Sequence, residues 1–468
     1  MRPWTRGALV VSIVLLAIGA GPGAGEDDGR EVAARIVGAA LVDDGAWKKL
    51  AWLSDRIGPR LSGSPQLERA VEWAVEEFRR DGIDAVWTET VLVPHWVRGP
   101  ESARIVAPVD LPLAVLALGM SEPTPEGGVS GQVVEVASLE QLEALGANAV
   151  RGKIVLFNKP IERNGGEHSG YGSAVGLRAN GATAAAKLGA VGMLIRSLGT
   201  ASFRLPHTGA MRYEDGVPRI PAAAIAAEDA ELIHRLLASG ETVSVHFTLG
   251  CKSLPDAESA NVVADLKGRE KPDEIVVIGA HLDSWDVGTG AIDDGAGVAI
   301  VMQTMRLLET RGLVPRRTVR AVLFTNEENG VRGGEDYAAR HASELARHVA
   351  AVEVDSGAGA PKGVRVSAGP GAEEIVRRIT AVLGVIDADA VSSPGGGADI
   401  SKMRPAGVPQ LALWQDTTYY FDYHHTQADT LDKADPDDLR KNVAALALLA
   451  YGLADLEEPL PRLEPERP

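Results

Sequence analysis

Cysteine is almost missing from this chain: Cys251 is the only one in 468 residues. No intrachain disulfide can form, and thiolate metal chemistry is nearly excluded. Stability must come from core burial, which a chain of this length supplies readily. Cys251 itself reads as a small residue at the end of a strand. Aromatic residues are scarce, at 4%, but 45% hydrophobic and 24% charged residues are globular proportions. A disordered or fibrous protein is thereby excluded. Positive charge is also in deficit. The net charge of −17 disfavours a nucleic acid or an anionic membrane as partner, and solubility alone accounts for the acidic excess.

Beyond the first 25 residues no apolar stretch reaches the length of a transmembrane helix. Arg2 and Arg6 precede ALVVSIVLLAIGA, then come the small residues GPGAG and the acidic EDDGR. A short basic region, an apolar core and small residues form the layout of a secretory signal. The apolar core is too short to span a bilayer comfortably, and an uncleaved anchor is the competing reading. The expectation is a secreted or periplasmic protein with no membrane association after signal cleavage.

The length exceeds one ordinary domain. LERAVEWAVEEFRRDG has apolar residues at helical spacing and Gly82 as its stop, and IDAVWTETVLV then alternates like a strand. Residues 123–251 read as a unit of short strands and small helices, with no ordered set of titratable residues. From Ser259 onward the alternation is longer: IVVIGA, a helix from about Gly295 to Thr310, VRAVLF, a helix over Gly334–Leu345, VAAVEV, a helix over Glu373–Leu383, PQLALW, and a terminal helix over roughly Pro436–Leu456. That pattern predicts an α/β fold with a mostly parallel central sheet flanked by helices. The expected division is 1–25 signal, 26–122 with 252–468 as one catalytic domain, and 123–251 inserted.

Acids and histidines recur just after the apolar runs of the second half. His281 follows IVVIGA, Glu327 and Glu328 follow AVLFTN, and Asp355 follows AAVEV; Asp293 and His425 sit in GAIDDGAG and YHHTQADT. Ligands of open α/β sheets gather beyond the carboxyl ends of the strands. Singly, each residue has an ordinary explanation: a turn aspartate, a solvated glutamate, a surface histidine. Asp294 in particular suits the cap of the following helix. Together they are the hard oxygen and imidazole ligands of a two-metal hydrolase, with a carboxylate to spare.

The motifs HLDSWD, GAIDDGAG, NEENG, EVDSG and HHTQADT, with RIGPRLSGSPQLERAVEW near the start, resemble those of the di-zinc aminopeptidase family. The likeness covers most of the chain beyond the signal. It implies the phosphorylase/hydrolase-like fold of zinc exopeptidases, with a smaller inserted protease-associated domain. It also implies two zinc ions per chain: one on His281 and Asp355, the other on Glu328 and His425, with Asp293 bridging. His424 is then a neighbour, and the Asp293–Asp294 peptide is expected to be cis. Asp283 lies close enough to accept a hydrogen bond from the free ring nitrogen of His281. Glu327, diverging from Glu328 on extended backbone, is the expected general base. Tyr419 or Tyr420 could stabilise a tetrahedral intermediate, and plain packing of the pocket explains them equally well.

The implied activity is exopeptidase hydrolysis of dipeptides or short peptides, and the resemblance is compatible with a homodimer. A di-zinc deacylase or amidohydrolase would use the same ligand logic. A non-catalytic binding protein on a peptidase scaffold would have lost ligands, and none is lost here.

Overall fold

A computed structural model describes residues 24–163 and 170–465. The expected signal segment lies outside the described residues but for its last two. No helix among the described residues is long and apolar enough to cross a membrane.

Two eight-stranded sheets organise the chain. The first runs in the order Ala85–Val97, Lys252–Leu266, Arg317–Phe324, Lys271–His281, His348–Glu353, Gln410–Gln415, Pro361–Ser367, Ala390–Ser392. Its four central strands are parallel, and antiparallel strands extend it on both flanks. Successive side chains of a strand point to opposite faces, and the burial follows that period. Val276, Ile278, Ala280, Val319, Ala321, Leu323, Ala350 and Val352 join one core, whereas Ile275, Val277, Val322, Phe324 and Ala351 join another. Both faces are therefore covered, as a parallel sheet requires. Helices Pro65–Arg80, Ala296–Thr310 and Pro436–Asp455 supply the first face. Tyr337 and Met403, from Arg332–Arg340 and the 3-10 turn Ile400–Ala406, pack on the second.

Local sequence sets the helix starts. Ser64 accepts the amide of Leu67 at 3.2 Å ahead of Pro65. Asp435 likewise accepts the Asp437 amide at 2.7 Å ahead of Pro436. Proline at the first helical position removes a donor that would have no partner there. The helix expected over Gly334–Leu345 is shorter, Arg332–Arg340, because His341 begins a run of turns.

The second sheet has the order Leu111–Leu113, Glu101–Ala107, Ser244–Leu249, Val129–Val136, Ile154–Phe157, Gly192–Arg196, Ala222–Ile225, Val115–Ala117. It takes in three strands upstream of Pro123, the boundary expected from sequence. Those strands pair with Ser244–Leu249 and Ala222–Ile225, so the second lobe begins near Glu101. Trp285 and Leu61, which come from the first lobe, are buried in the core of the second.

Candidate metal centre and active site

Three of the four central parallel strands deliver a site residue at their carboxyl end. Lys271–His281 ends on His281, Glu327 and Glu328 follow Phe324 by three and four positions, and Asp355 follows Glu353 by two. The register pairs His281 with Phe324 and Gly279 with Glu353, which sets these ends side by side. Asp293 lies in the short turn Ala291–Gly295 before helix Ala296–Thr310, and its peptide bond to Asp294 is cis. His425 follows the single-turn helix Tyr420–Tyr423 with a left-handed φ of 60°.

The Asp293 carboxylate spans the two histidines. Its Oδ1 is 3.1 Å from His281 Nε2, and its Oδ2 is 3.2 Å from His425 Nε2. Each histidine has a second acid of its own. Asp355 Oδ1 lies 3.6 Å from His281 Nε2, and Glu328 Oε2 lies 3.0 Å from His425 Nε2. Both rings show their Nε2 to the acids because Nδ1 is occupied. His281 Nδ1 donates to the Asp283 main-chain carbonyl at 3.1 Å, and His425 Nδ1 donates to the Thr208 carbonyl at 3.2 Å.

Ligand atoms of Asp293, His424 and His425 fall within 4.8 Å of one another, as do those of His281, Asp294 and Asp355. Proximity alone thus adds Asp294 and His424 to the set. Both oxygens of Asp294 are engaged, however, by the amides of His281 and Gly297 at 3.1 Å. Asp294 is the helix-capping residue its position suggests. His424 stacks on His425 with ring centroids 3.5 Å apart, and its Nε2 is 3.4 Å from Asp293 Oδ2. Burial, then the His425 charge, holds its pKa well below the ordinary imidazole value.

Asp283 does a different task from the one expected. Its carboxylate is 3.7 Å from His281 Nδ1, beyond the main-chain carbonyl of the same residue. It accepts instead the amides of Glu327 at 3.0 Å and Glu328 at 3.2 Å. A carboxylate two residues past a histidine on extended backbone is drawn to the nearest unpaired amides, here those just beyond the neighbouring strand. Asp283 thereby fixes the backbone of the Glu-Glu pair.

Residues not singled out from sequence hold the rest of the frame. The buried Arg60 guanidinium donates to the carbonyls of Leu282, Thr289 and Gly290 at 2.6, 2.9 and 2.9 Å. Asp429 accepts the amides of Ala291, Ile292 and Asp293 at 2.8, 2.7 and 3.2 Å. Burial pushes the Asp429 carboxyl up to about 7. Both sit inside motifs quoted above, RIGPRLSG and HTQADT, but nothing in those strings distinguishes a frame residue from a ligand. Of the two tyrosines, Tyr419 is 60% exposed with Arg163 over its ring. Tyr420 lies against His424, with centroids 5.0 Å apart, and among the acids. Burial and the charges of Asp293 and Asp355 raise its hydroxyl well above the ordinary value.

The donor set fits metal ions. Asp293 Oδ2 and Glu328 Oε1 are buried without a hydrogen bond among the described residues. Burial raises the carboxyls of Asp294, Glu327, Glu328 and Asp355, with neighbouring acids adding to it and His281 opposing it. So many converging carboxylates leave the site short of positive charge. Oxygen and neutral imidazole donors are those that zinc accepts in a catalytic site.

Residues 261–450 match the model of peptidase family M28. Carboxypeptidase Q of Mus musculus is 39% identical over 92% of this chain and 91% of its own length. This chain belongs to peptidase family M28. The Homo sapiens carboxypeptidase Q is 38% identical over 92% of the chain and 90% of its own length. The crystal structure of an M28 peptidase precursor from Shewanella amazonensis superposes with a TM-score of 0.91 at 42% identity, covering 94% of this chain and all of that one. The zinc aminopeptidase BSAP of Bacillus subtilis, at 21% identity and a TM-score of 0.64 over 87% of this chain and 94% of its own, shares the fold. As a member of M28, the chain is a zinc metallopeptidase.

Proposed function

We propose that this M28 chain is a secreted or periplasmic exopeptidase that cleaves dipeptides or short peptides with two zinc ions. One observation carries the reading: the two oxygens of Asp293 face different histidines, and each histidine has its own further acid. In this proposal His281 and Asp355 hold one ion, Glu328 and His425 the other, and Asp293 both. When bound, such ions polarise the scissile carbonyl and make water acidic enough to attack at neutral pH. Glu327 supplies the proton transfers. Its amide is anchored by Asp283, while its carboxylate makes no hydrogen bond or ion pair among the described residues. That half-buried carboxylate can accept a proton from the attacking water and return it to the leaving amine. Of the two tyrosines, Tyr420, which packs on His424, is the one proposed to meet an oxyanion, Tyr419 being exposed.

The carboxypeptidase Q relatives support a peptide with a free terminus as substrate. The second lobe is proposed to be a protease-associated insertion that shapes the cleft and limits substrate size. Product analysis on dipeptides and N-acyl amino acids separates this exopeptidase from a deacylase. Mass measurement in solution tests a homodimer. Secretion is tested by N-terminal sequencing of exported protein, which should begin near residue 26. The deciding variant is Glu327→Gln, expected to keep about two zinc ions per chain and lose roughly 10²–10⁴-fold in kcat. An inactive variant with depleted zinc makes Glu327 a ligand instead.

A further inference from the structure

The two histidines of the site are oriented by different parts of the molecule. The Nδ1 of His281 donates to Asp283, two residues away in its own loop. The Nδ1 of His425 donates to the Thr208 carbonyl, which belongs to the second lobe, in the loop that follows strand Gly192–Arg196. Thr208 holds His425 a second time, since its amide donates to the His425 carbonyl at 3.0 Å. A non-glycine residue at a φ of 60° persists when its surroundings over-determine it. Here the second lobe fixes both its backbone and its ring.

Thr208 is itself immobilised. Its hydroxyl donates to the Ala117 carbonyl at 2.8 Å and accepts from Arg98 at 3.2 Å. Arg98 in turn forms two 2.8 Å bonds with Asp286 of the His281 loop. Behind the loop lies the buried Arg178 of helix Tyr171–Lys187. It donates to the carbonyls of Thr208 at 3.4 Å and Ala210 at 3.3 Å, and to the Tyr171 hydroxyl at 2.8 Å, and its Nη1 also lies 3.5 Å from His425 Nδ1 itself, farther than the Thr208 carbonyl that takes the ring proton at 3.2 Å. Gly209 between them has a φ of 137°, and a Cβ there would lie 2.2 Å from an Arg178 nitrogen. The loop and the guanidinium are packed in contact.

We propose that Arg178 is a positioning residue for one metal site only: through the Thr208 carbonyl it sets the tautomer and aim of His425, making the second lobe a structural part of that site. A histidine must keep its proton on Nδ1 to offer Nε2 to a cation, and a fixed carbonyl acceptor enforces that choice. The site containing His281 has no such dependence. This inference rests on the two-zinc reading proposed above.

The test is zinc affinity, measured on the full chain by competition with a chromophoric chelator and read alongside the cobalt(II) absorption spectrum. Wild-type protein should bind about two ions. In Arg178→Met one ion should bind as in wild type and the other about 10–100-fold more weakly, as for other lost partners of a ligating histidine. Tyr171→Phe, which removes an acceptor of Arg178 without altering charge, should shift the same ion by less. Arg196→Gln, which breaks an ion pair with Glu231 elsewhere in the lobe, should leave both affinities unchanged. Two unaltered ions in Arg178→Met, or equal weakening of both, would overturn the assignment. If Arg178→Met does not fold, Tyr171→Phe decides: one ion weakened supports the proposal, and no selective change overturns it. A wild-type chain that binds no zinc would instead remove the two-zinc reading.

Discussion

The two eight-stranded sheets have similar interiors and different ends. In both, parallel strands are buried along their whole length: Ile154–Phe157 and Ala222–Ile225 in one, Arg317–Phe324 and His348–Glu353 in the other. Past their carboxyl ends, the central sheet presents acids and a histidine. The second presents a loop that approaches the site with main-chain groups, of which Thr208 is the clearest. Chemistry and aim are thus separable: one lobe supplies side chains, and the other helps decide where one of them points. A buried arginine stands behind each half. Arg60 grips the carbonyls around His281's loop, and Arg178 grips those of the loop that faces His425.

The most severe way to break this arrangement is Asp293→Ala. It removes the carboxylate shared by both halves, so zinc content should fall from about two ions toward none and peptidase activity to background. A variant that retains two ions would show that Asp293 does not bridge. Next comes Arg60→Met. Several loop carbonyls would lose their donor inside the protein, each at a cost of about 1–3 kcal/mol. Chemical denaturation should register a loss of at least about 3 kcal/mol. The His281 ion should weaken more than the His425 ion, the reverse of Arg178→Met. The mildest is Arg163→Ala. Arg163 pairs with both carboxylate oxygens of Asp422 across the lobe junction, but it is half-exposed. Its loss should cost about 0.5–1 kcal/mol and leave both zinc affinities unchanged. If it weakens the His425 ion as strongly as Arg178→Met does, the whole junction is responsible, not the Thr208 carbonyl.

The central sheet was legible because its strands are long, apolar and separated by helices, and its acids follow the strands directly. His281, Glu327, Glu328 and Asp355 could be placed on that ground alone. Asp293 and His425 sit in loops, and their convergence with the others needed either the family resemblance or the coordinates. The task of Asp283 is not legible in the sequence, because spacing places a side chain near a ring without showing which donors compete for it. Two amides of the adjacent strand's extension are closer. The start of the second lobe is not legible in the sequence because Glu101–Ala117 holds short strands whose partners, Ser244–Leu249 and Ala222–Ile225, lie more than a hundred residues downstream. Thr208 and Arg178 were invisible to sequence reasoning: a main-chain carbonyl has no residue type, and one alanine-rich helix looks much like another.

Gly99 and Gly250 mark where the chain passes into the second lobe and out of it. They run so close that a Cβ on Gly99 would lie 2.1 Å from the Gly250 carbonyl oxygen, and the Gly250 amide bonds to the Pro100 carbonyl at 2.9 Å. The edge pairing of Ala85–Val97 with Lys252–Leu266 begins immediately beside this crossing. While the intervening stretch is unfolded, closing it costs about 4 kcal/mol of chain entropy. Once that stretch has folded, its ends already lie together and the cost is met. The crossing is thus one closure shared by two pairings, Glu101–Ala107 with Ser244–Leu249 and Ala85–Val97 with Lys252–Leu266, so that whichever forms relieves the other of that entropy.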